Sequence, residues 1–241
     1  MRLTRIFLTA DWRHLAMLNF EVDPAVLVPH LPKGTELDDF AGRHFVSLVA
    51  FLFLDTHVLS IPAFFHQNFE EMNLRFYVRR SVGTETHHGV VFLREIIPFP
   101  LVAAAARLTY NEPYRTVPMR HSIAEANGQL QSVAYSLGGP RDRCLFTLQV
   151  NGASQEMRPG SEEEFLSERH WGYTKQRDGG TIEYYVDHAR WHIWPDVAYQ
   201  LAGPLREFYD EPFASIISGV PESAFIANGS AVAVHLPERI A

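Results

Sequence analysis

The chain has 241 residues, 46% of them hydrophobic and 20% charged, with a formal net charge of −7. That is an ordinary globular composition, and a chain of this size buries roughly 70–75% of the surface its unfolded form exposes, so it needs no covalent or metal staple. The acidic balance, with Arg79-Arg80 the one basic doublet, excludes a phosphate-tracking, nucleic-acid-binding protein; the single cysteine, Cys144, excludes an internal disulfide and any site built on several thiolates.

From the N-terminus, the apolar segment within residues 1–11 is too short and broken for a signal peptide. The longest apolar run, Phe45 to Leu54, is too short to span a bilayer as a helix. A soluble, cytoplasmic protein without membrane partners is expected. Asp23 is placed to cap a short helix with Pro24 in its first turn, which Pro29 or Pro32 ends. After a turn at 38–42, His44 to Leu54 is rich in Val, Phe and Leu without clean alternation, the pattern of a strand covered on both faces. The proline-marked loop 61–66 then delivers the chain to a strand over Glu71 to Arg79.

That strand alternates. Met72, Leu74, Phe76 and Val78 point one way; Glu71, Asn73, Arg75, Tyr77 and Arg79 point the other. An acid, an amide and a guanidinium, spaced roughly 6.5–7 Å apart on one face, can read a polar ligand. By pattern alone, the same row reads first as the solvated face of a half-buried strand.

Ser81 to Gly89 reads as a hairpin connection with His87-His88 solvated in it, and Val90 to Leu93 as the returning strand. Pro98-Phe99-Pro100 opens a helix over Leu101 to Tyr110, whose alanine run is the strongest helix signal in the chain, and Asn111-Glu112-Pro113 stops it. Arg107, three residues before Tyr110, either points into a pocket or ties the helix end to a carbonyl. Short strands follow over Met119–Ile123, Gln131–Leu137 and Cys144–Val150, separated by Asn127-Gly128, Gly138-Gly139-Pro140 and Asn151-Gly152 turns. Cys144 shares strand parity with Phe146 and Leu148, the placing of a buried structural thiol.

Ser161 and Glu164 have capping-box spacing at the start of a short helix. Glu168-Arg169-His170 near its end reads as a surface ion-pair group. Ile182 to Trp191 is a strand, Trp194-Pro195-Asp196 begins a further helix to about Leu201, and Phe225 to Val234 is a hairpin about Asn228-Gly229. His188 and His192 are four apart, but their neighbours favour strand or loop over helix and no third ligand is evident, so no metal is assigned. No phosphate-cradling glycine loop or nucleophile elbow is present, and no cofactor is expected.

Several segments resemble one family: Leu27-Val28-Pro29-His30-Leu31-Pro32, Phe69 to Val78, Ala106 to Tyr114, Leu166 to His170, and His188-Ala189-Arg190-Trp191. Together they are similar to the uncharacterised bacterial YqjF-like proteins, a domain family of unknown function grouped with acetoacetate decarboxylase-like folds. The resemblance spans nearly the whole chain. It implies one domain over 1–241, α+β and mostly antiparallel: a closed, cone-like β-barrel with a pocket inside and a few peripheral helices. The decarboxylase relatives use a lysine that forms a Schiff base with a keto acid, its pKa lowered by a cationic neighbour in an apolar pocket. This chain has only Lys33 and Lys175, both in turn-like sequence and neither beside another lysine; the place corresponding to the reactive pair, Pro98 to Val102, carries no amine.

The resemblance also turns the polar row inward. The expected site is then an internal pocket for a small anionic or carbonyl-bearing molecule, with Glu71 and Arg75 as its chemical centre. Asn73 and Arg107 join its polar lining; Tyr114, His188 and Trp191 surround its mouth. The alternative is a lysine-independent lyase or hydrolase acting on a keto or hydroxy acid with Glu71 as general base. A third reading is a filled barrel without a ligand. The sequence leaves open a homo-oligomer.

Overall fold

Strands rich in Val, Phe, Leu and Tyr make a sheet that closes on itself. In the computed structural model, which describes residues 5–63, 66–140 and 143–240, the principal elements run β1 (Ile6–Glu21), α1 (Pro24–Leu27), β2 (Phe45–Val58), β3 (Phe69–Val82), β4 (Glu85–Ile97), α2 (Pro100–Thr109), β5 (Met119–Ala126), β6 (Gln129–Leu137), β7 (Cys144–Val150), α3 (Glu162–Ser167), β8 (Trp171–Lys175), β9 (Thr181–His188), β10 (Val197–Ala202), α4 (Phe213–Ile217) and β11 (Ser223–His235). Seven strands close in the order β11-β1-β2-β3-β4-β8-β9 and back to β11, through Val186 opposite Val234 and His188 opposite Val232. The pairings are antiparallel except β4 with β8, where Trp171 lies beside Gly89 and Gly172 beside Val90. The fold is therefore an α+β, mostly antiparallel closed barrel with a few short helices. A second sheet, β10-β7-β6-β5, lies outside it.

Both faces of β3 are buried, for different reasons. Met72, Leu74, Phe76 and Val78 face outward, but onto the second sheet, where they share a core with Val133, Tyr135, Leu137, Phe146 and Leu148. Each such fully buried side chain contributes roughly 1.5–3 kcal/mol. Glu71, Asn73, Arg75 and Tyr77 face into the barrel and are buried; Arg79, at the barrel end, is half-exposed beside Glu36, Asp38 and Asp39. Cys144 is buried and unoxidised in the outer core.

Local signals are realised at several ends. Asp23 accepts the Ala25 N–H at 2.8 Å as the cap of α1, with Pro24 in its first turn. Ser161 accepts the Glu164 N–H at 3.2 Å to start α3, while the Glu164 carboxylate takes the Gly160 N–H rather than closing the reciprocal half of a capping box.

Four expectations are corrected. The segment expected as a helix from Trp194 to Leu201 contains β10, an edge strand with Val197 opposite Val150 and Leu201 opposite Phe146; ladder bonds to β7 outweigh the weak local helix signal. The hairpin connection expected over Ser81 to Gly89 is instead a tight turn between Val82 and Glu85.

His87, expected in solvent, is therefore on a strand, buried, with its ring stacked on Trp171 at 4.0 Å between centroids; His88 meets the Asp38 carboxylate at 2.8 Å. The hairpin expected about Asn228-Gly229 is one continuous strand, β11, paired along its length with β1. Gly229 has φ +80°, and a Cβ there would lie 1.9 Å from the Trp12 carbonyl oxygen, so this glycine permits close strand approach instead of a turn.

Gly229→Ala adds a steric clash to a left-handed backbone strain. It is expected to destabilise the protein by roughly 2 kcal/mol or more, read as a lower urea midpoint with an unchanged slope. An unchanged midpoint would refute this account of Gly229.

Candidate functional site

The barrel encloses a cavity of about 350 Å³. Val49, Phe51 and Phe53 of β2 form one wall by strict alternation. On β4 the parity changes. Arg75 pairs with Phe92 while Leu74 pairs with Arg94, so one residue bulges out of the β3–β4 ladder. Val90 and Phe92 before the bulge, and Glu95 and Ile97 after it, all line the cavity as a result.

Three carboxyls converge inside. Glu71, Glu95 and Glu112 are 3%, 1% and 6% exposed. Asn73 Nδ2 donates to Glu71 Oε1 at 3.1 Å, and Tyr114 OH donates to Glu71 Oε2 at 3.2 Å. Tyr184 OH donates to Glu112 Oε1. Glu95 lies opposite Asn73 across the ladder, and its Oε2 has no hydrogen-bond partner. Burial pushes the Glu71 carboxyl up to about 7 against the lowering effect of Asn73, Tyr114 and Arg75. Burial and the neighbouring Glu71 push Glu112 up to about 8, despite the Tyr184 bond. Glu95 is raised well above the usual range by burial and by both other carboxyls. Tyr114 and Tyr184 are raised too, chiefly by burial, and stay protonated donors.

Arg75 donates from Nη2 to the Leu166 carbonyl at 3.0 Å, which ties it to α3; its Nε has no partner. Among the described residues, no ion pair within 4 Å joins it to Glu71. Arg169, expected on the surface, is buried and donates to Asp38 at 2.6 Å, with its guanidinium 3.9 Å from the Phe165 ring centroid. Arg169 and His88 hold the Asp38 carboxyl down at about 2 against the upward push of burial. His188 stacks between His170 and Trp191, at centroid separations of 4.3 and 4.6 Å. Burial lowers it to about 4, so it is neutral at pH 7. Trp191 is buried and donates from Nε1 to Ser230 Oγ at 3.0 Å.

Of the residues expected from sequence, Glu71, Asn73, Arg75, Tyr114, His188 and Trp191 all line this cavity. Tyr114, half-buried, reaches the Glu71 carboxyl with its hydroxyl. Arg107 does not join them: it is exposed on α2, and its Nε donates to the Ala103 carbonyl of its own helix at 3.3 Å. Helical periodicity gives the reason, because Leu101, Val102 and Ala106 already occupy the face of α2 that meets the cavity.

Glu95, Glu112, Tyr184 and Arg169 are the polar groups that the sequence reading missed. A buried Arg169 had one available signal, the acidic Asp38-Asp39 turn, but nothing local connects the two. Lys33 and Lys175 are exposed and outside the cavity lining. Among the described residues, no group of three or more His, Cys, Asp or Glu side chains is arranged to hold a metal, and no helix is long and apolar enough to cross a membrane.

The closed barrel with its covering sheet defines an acetoacetate decarboxylase-like fold. The chain is similar to the acetoacetate decarboxylase of Legionella pneumophila subsp. pneumophila, with a TM-score of 0.64 and 13% identity over 100% of this chain and 90% of that one. It is similar to an acetoacetate decarboxylase-like enzyme from Sphingomonas wittichii RW1, with a TM-score of 0.64 and 12% identity over 98% and 94% of the two chains. The enduracididine biosynthesis enzyme MppR complexed with pyruvate aligns with a TM-score of 0.63 and 11% identity over 100% and 92%. At these identities the likeness is one of fold. Within that fold, the chain belongs to DUF2071, a family described as an uncharacterized conserved protein, whose model matches residues 9–230. No curated protein matches the chain in sequence.

The raised carboxyls fix the sign of a pH dependence. Between the ordinary value of 4.5 and about 7 to 8, folded Glu71 and Glu112 hold protons that the unfolded chain has released, so stability falls as pH rises through that window. His188, held neutral, acts oppositely, but only below its ordinary value of 6.5. The unfolding free energy is therefore expected to fall by on the order of 1 kcal/mol between pH 6.5 and 8, and by less in Glu112→Gln. Denaturant melts at the two pH values check this; a rise in stability would contradict the protonated cluster.

Proposed function

We propose that the barrel binds a small organic molecule carrying a carboxylate or carbonyl, with Arg75 as its anchor and Glu71 beside the polar end. The observation that carries this reading is the placement of the Arg75 guanidinium, with its Nε unpartnered, next to Glu71 and Asn73 on one wall of a largely apolar cavity. A guanidinium in a water-poor site makes strong, directional bonds to a carboxylate. The apolar walls supply the contact area typical of small-molecule pockets. Pyruvate bound by MppR is a precedent for a keto acid in this fold.

The chemistry runs without a Schiff-base lysine, since both lysines of this chain stand exposed and away from the cavity. A second reading, a lyase or hydrolase acting on a keto or hydroxy acid, draws on Glu71 itself. A carboxyl titrating at about 7 is matched to general acid–base work near neutral pH. Asn73 and Tyr114 orient it by bonding one oxygen each.

Titration calorimetry with pyruvate, acetoacetate and their saturated analogues tests binding. At least one of these acids is expected to bind, and Arg75→Ala is expected to weaken it tenfold or more, about 1.4 kcal/mol. Binding that is indifferent to Arg75→Ala, or no binding by any small acid, would refute the anchor role. NMR of the same mixtures separates the two readings: the enzyme forms product that Glu71→Gln abolishes while binding persists, and the binding protein forms none. A borohydride-trapped adduct at Lys33 or Lys175 would overturn the lysine-independent reading.

A further inference from the structure

The cavity holds more acid than its anchor can balance. Two guanidinium groups line it, Arg75 and Arg169. Arg169 is already matched by Asp38 at 2.6 Å. That leaves Arg75 facing Glu71, Glu95 and Glu112, all buried. The balance is met by protons on the carboxyls or by a cation brought in from outside.

Two further observations point to a guest. Two acceptors of the cluster are unfilled: Asn73 Oδ1 and Glu95 Oε2 are buried without a hydrogen-bond partner, on residues 2% and 1% exposed that lie opposite each other across the β3–β4 ladder. Tyr114 and Tyr184 already spend their hydroxyl protons on the carboxyls, so neither supplies the missing donor. The remaining walls are apolar and include several rings: Trp12, Phe51, Phe53, Phe69, Phe92 and Tyr110 line the same space. Aromatic faces next to carboxylates are a favourable setting for an organic cation, because the ring quadrupole and the charge act in the same direction.

We infer that the pocket is a two-ended site whose ligand carries a cationic nitrogen in addition to its acid or carbonyl group, with Glu95, Glu112 and Asn73 receiving the nitrogen. The acidic end of that ligand rests on the Arg75 reading above; the cationic end rests on the unfilled acceptors and stands separately. A primary ammonium, with its donors directed in three directions, matches Asn73 and Glu95 on the adjoining β3 and β4 together with Glu112 in the connection after α2. Glu71 lies between the two ends, against Asn73 on one side and within the field of Arg75 on the other.

Three probes of nearly equal length resolve the two ends by titration calorimetry on the full chain: 5-aminopentanoate, hexanoate, in which a methyl replaces the ammonium, and pentylamine, in which a methyl replaces the carboxylate. The amino acid is expected to bind at least tenfold more tightly than hexanoate. Glu95→Gln, which keeps the shape but cannot ionise to pair with an ammonium, is expected to erase that advantage. Glu112→Gln provides the same comparison should the Glu95 variant fail to melt as a folded protein.

Hexanoate binding as tightly as 5-aminopentanoate, with Arg75→Ala still abolishing both, overturns the cationic end and keeps the Arg75 anchor. Pentylamine binding that Glu95→Gln or Glu112→Gln removes, with neither acid sensitive to Arg75→Ala, supports the cationic end and overturns the anchor. No binding by any of the three overturns the cationic end.

Discussion

Closure of the sheet is the constraint on which everything else in this molecule depends. Val186 and His188 of β9 pair with Val234 and Val232 of β11, and the short parallel contact of β4 with β8 completes the ring. An open sheet with the same β3 would leave Glu71, Asn73 and Arg75 in water, where their side chains would be ordinary surface groups. Once the sheet closes, the same row faces a largely apolar interior. Desolvation then holds carboxyls neutral that would otherwise be ionised. The electrostatics of the site are thus a consequence of topology before they are a consequence of residue choice.

The close contacts that closure requires are met by absent side chains. Gly172, where β8 meets β4, leaves room for the Tyr184 ring, whose Cζ would stand 2.1 Å from a Cβ at that position. Tyr184 in turn donates to Glu112. A backbone requirement at the seam therefore positions a hydroxyl in the cavity, and the hydroxyl positions a carboxyl.

The protein treats its buried charges in two ways. Asp38 and Arg169 neutralise each other near one end of the barrel, with Arg169 also bonded from Nε to the Phe165 carbonyl and flanked by the Phe165 and Tyr77 rings. That arrangement satisfies both groups and fixes α3, whose Leu166 carbonyl holds Arg75. Among the described residues Glu71, Glu95 and Glu112 have no such ion-pair partner within 4 Å, and burial raises all three. A fully satisfied pair rigidifies, whereas a partly satisfied cluster remains available for chemistry or for a guest.

By itself the sequence determined the alternation of β3, the doubly covered β2, the proline-started α2, the caps of α1 and α3, and the inventory of groups that a site could use. These depend on spacing and on neighbours a few residues away, and six of the seven expected site residues do line the cavity. Tertiary structure decided the rest. The bulge near Arg94 reversed the parity of β4 and turned Glu95 inward; pairing with β7 made a strand of residues 197–202; and the approach of β1 made Gly229 part of one continuous strand. Arg169 found its carboxylate 131 positions away in the chain. Each of these outcomes depends on which strand lies alongside, a fact that no local window of residues contains.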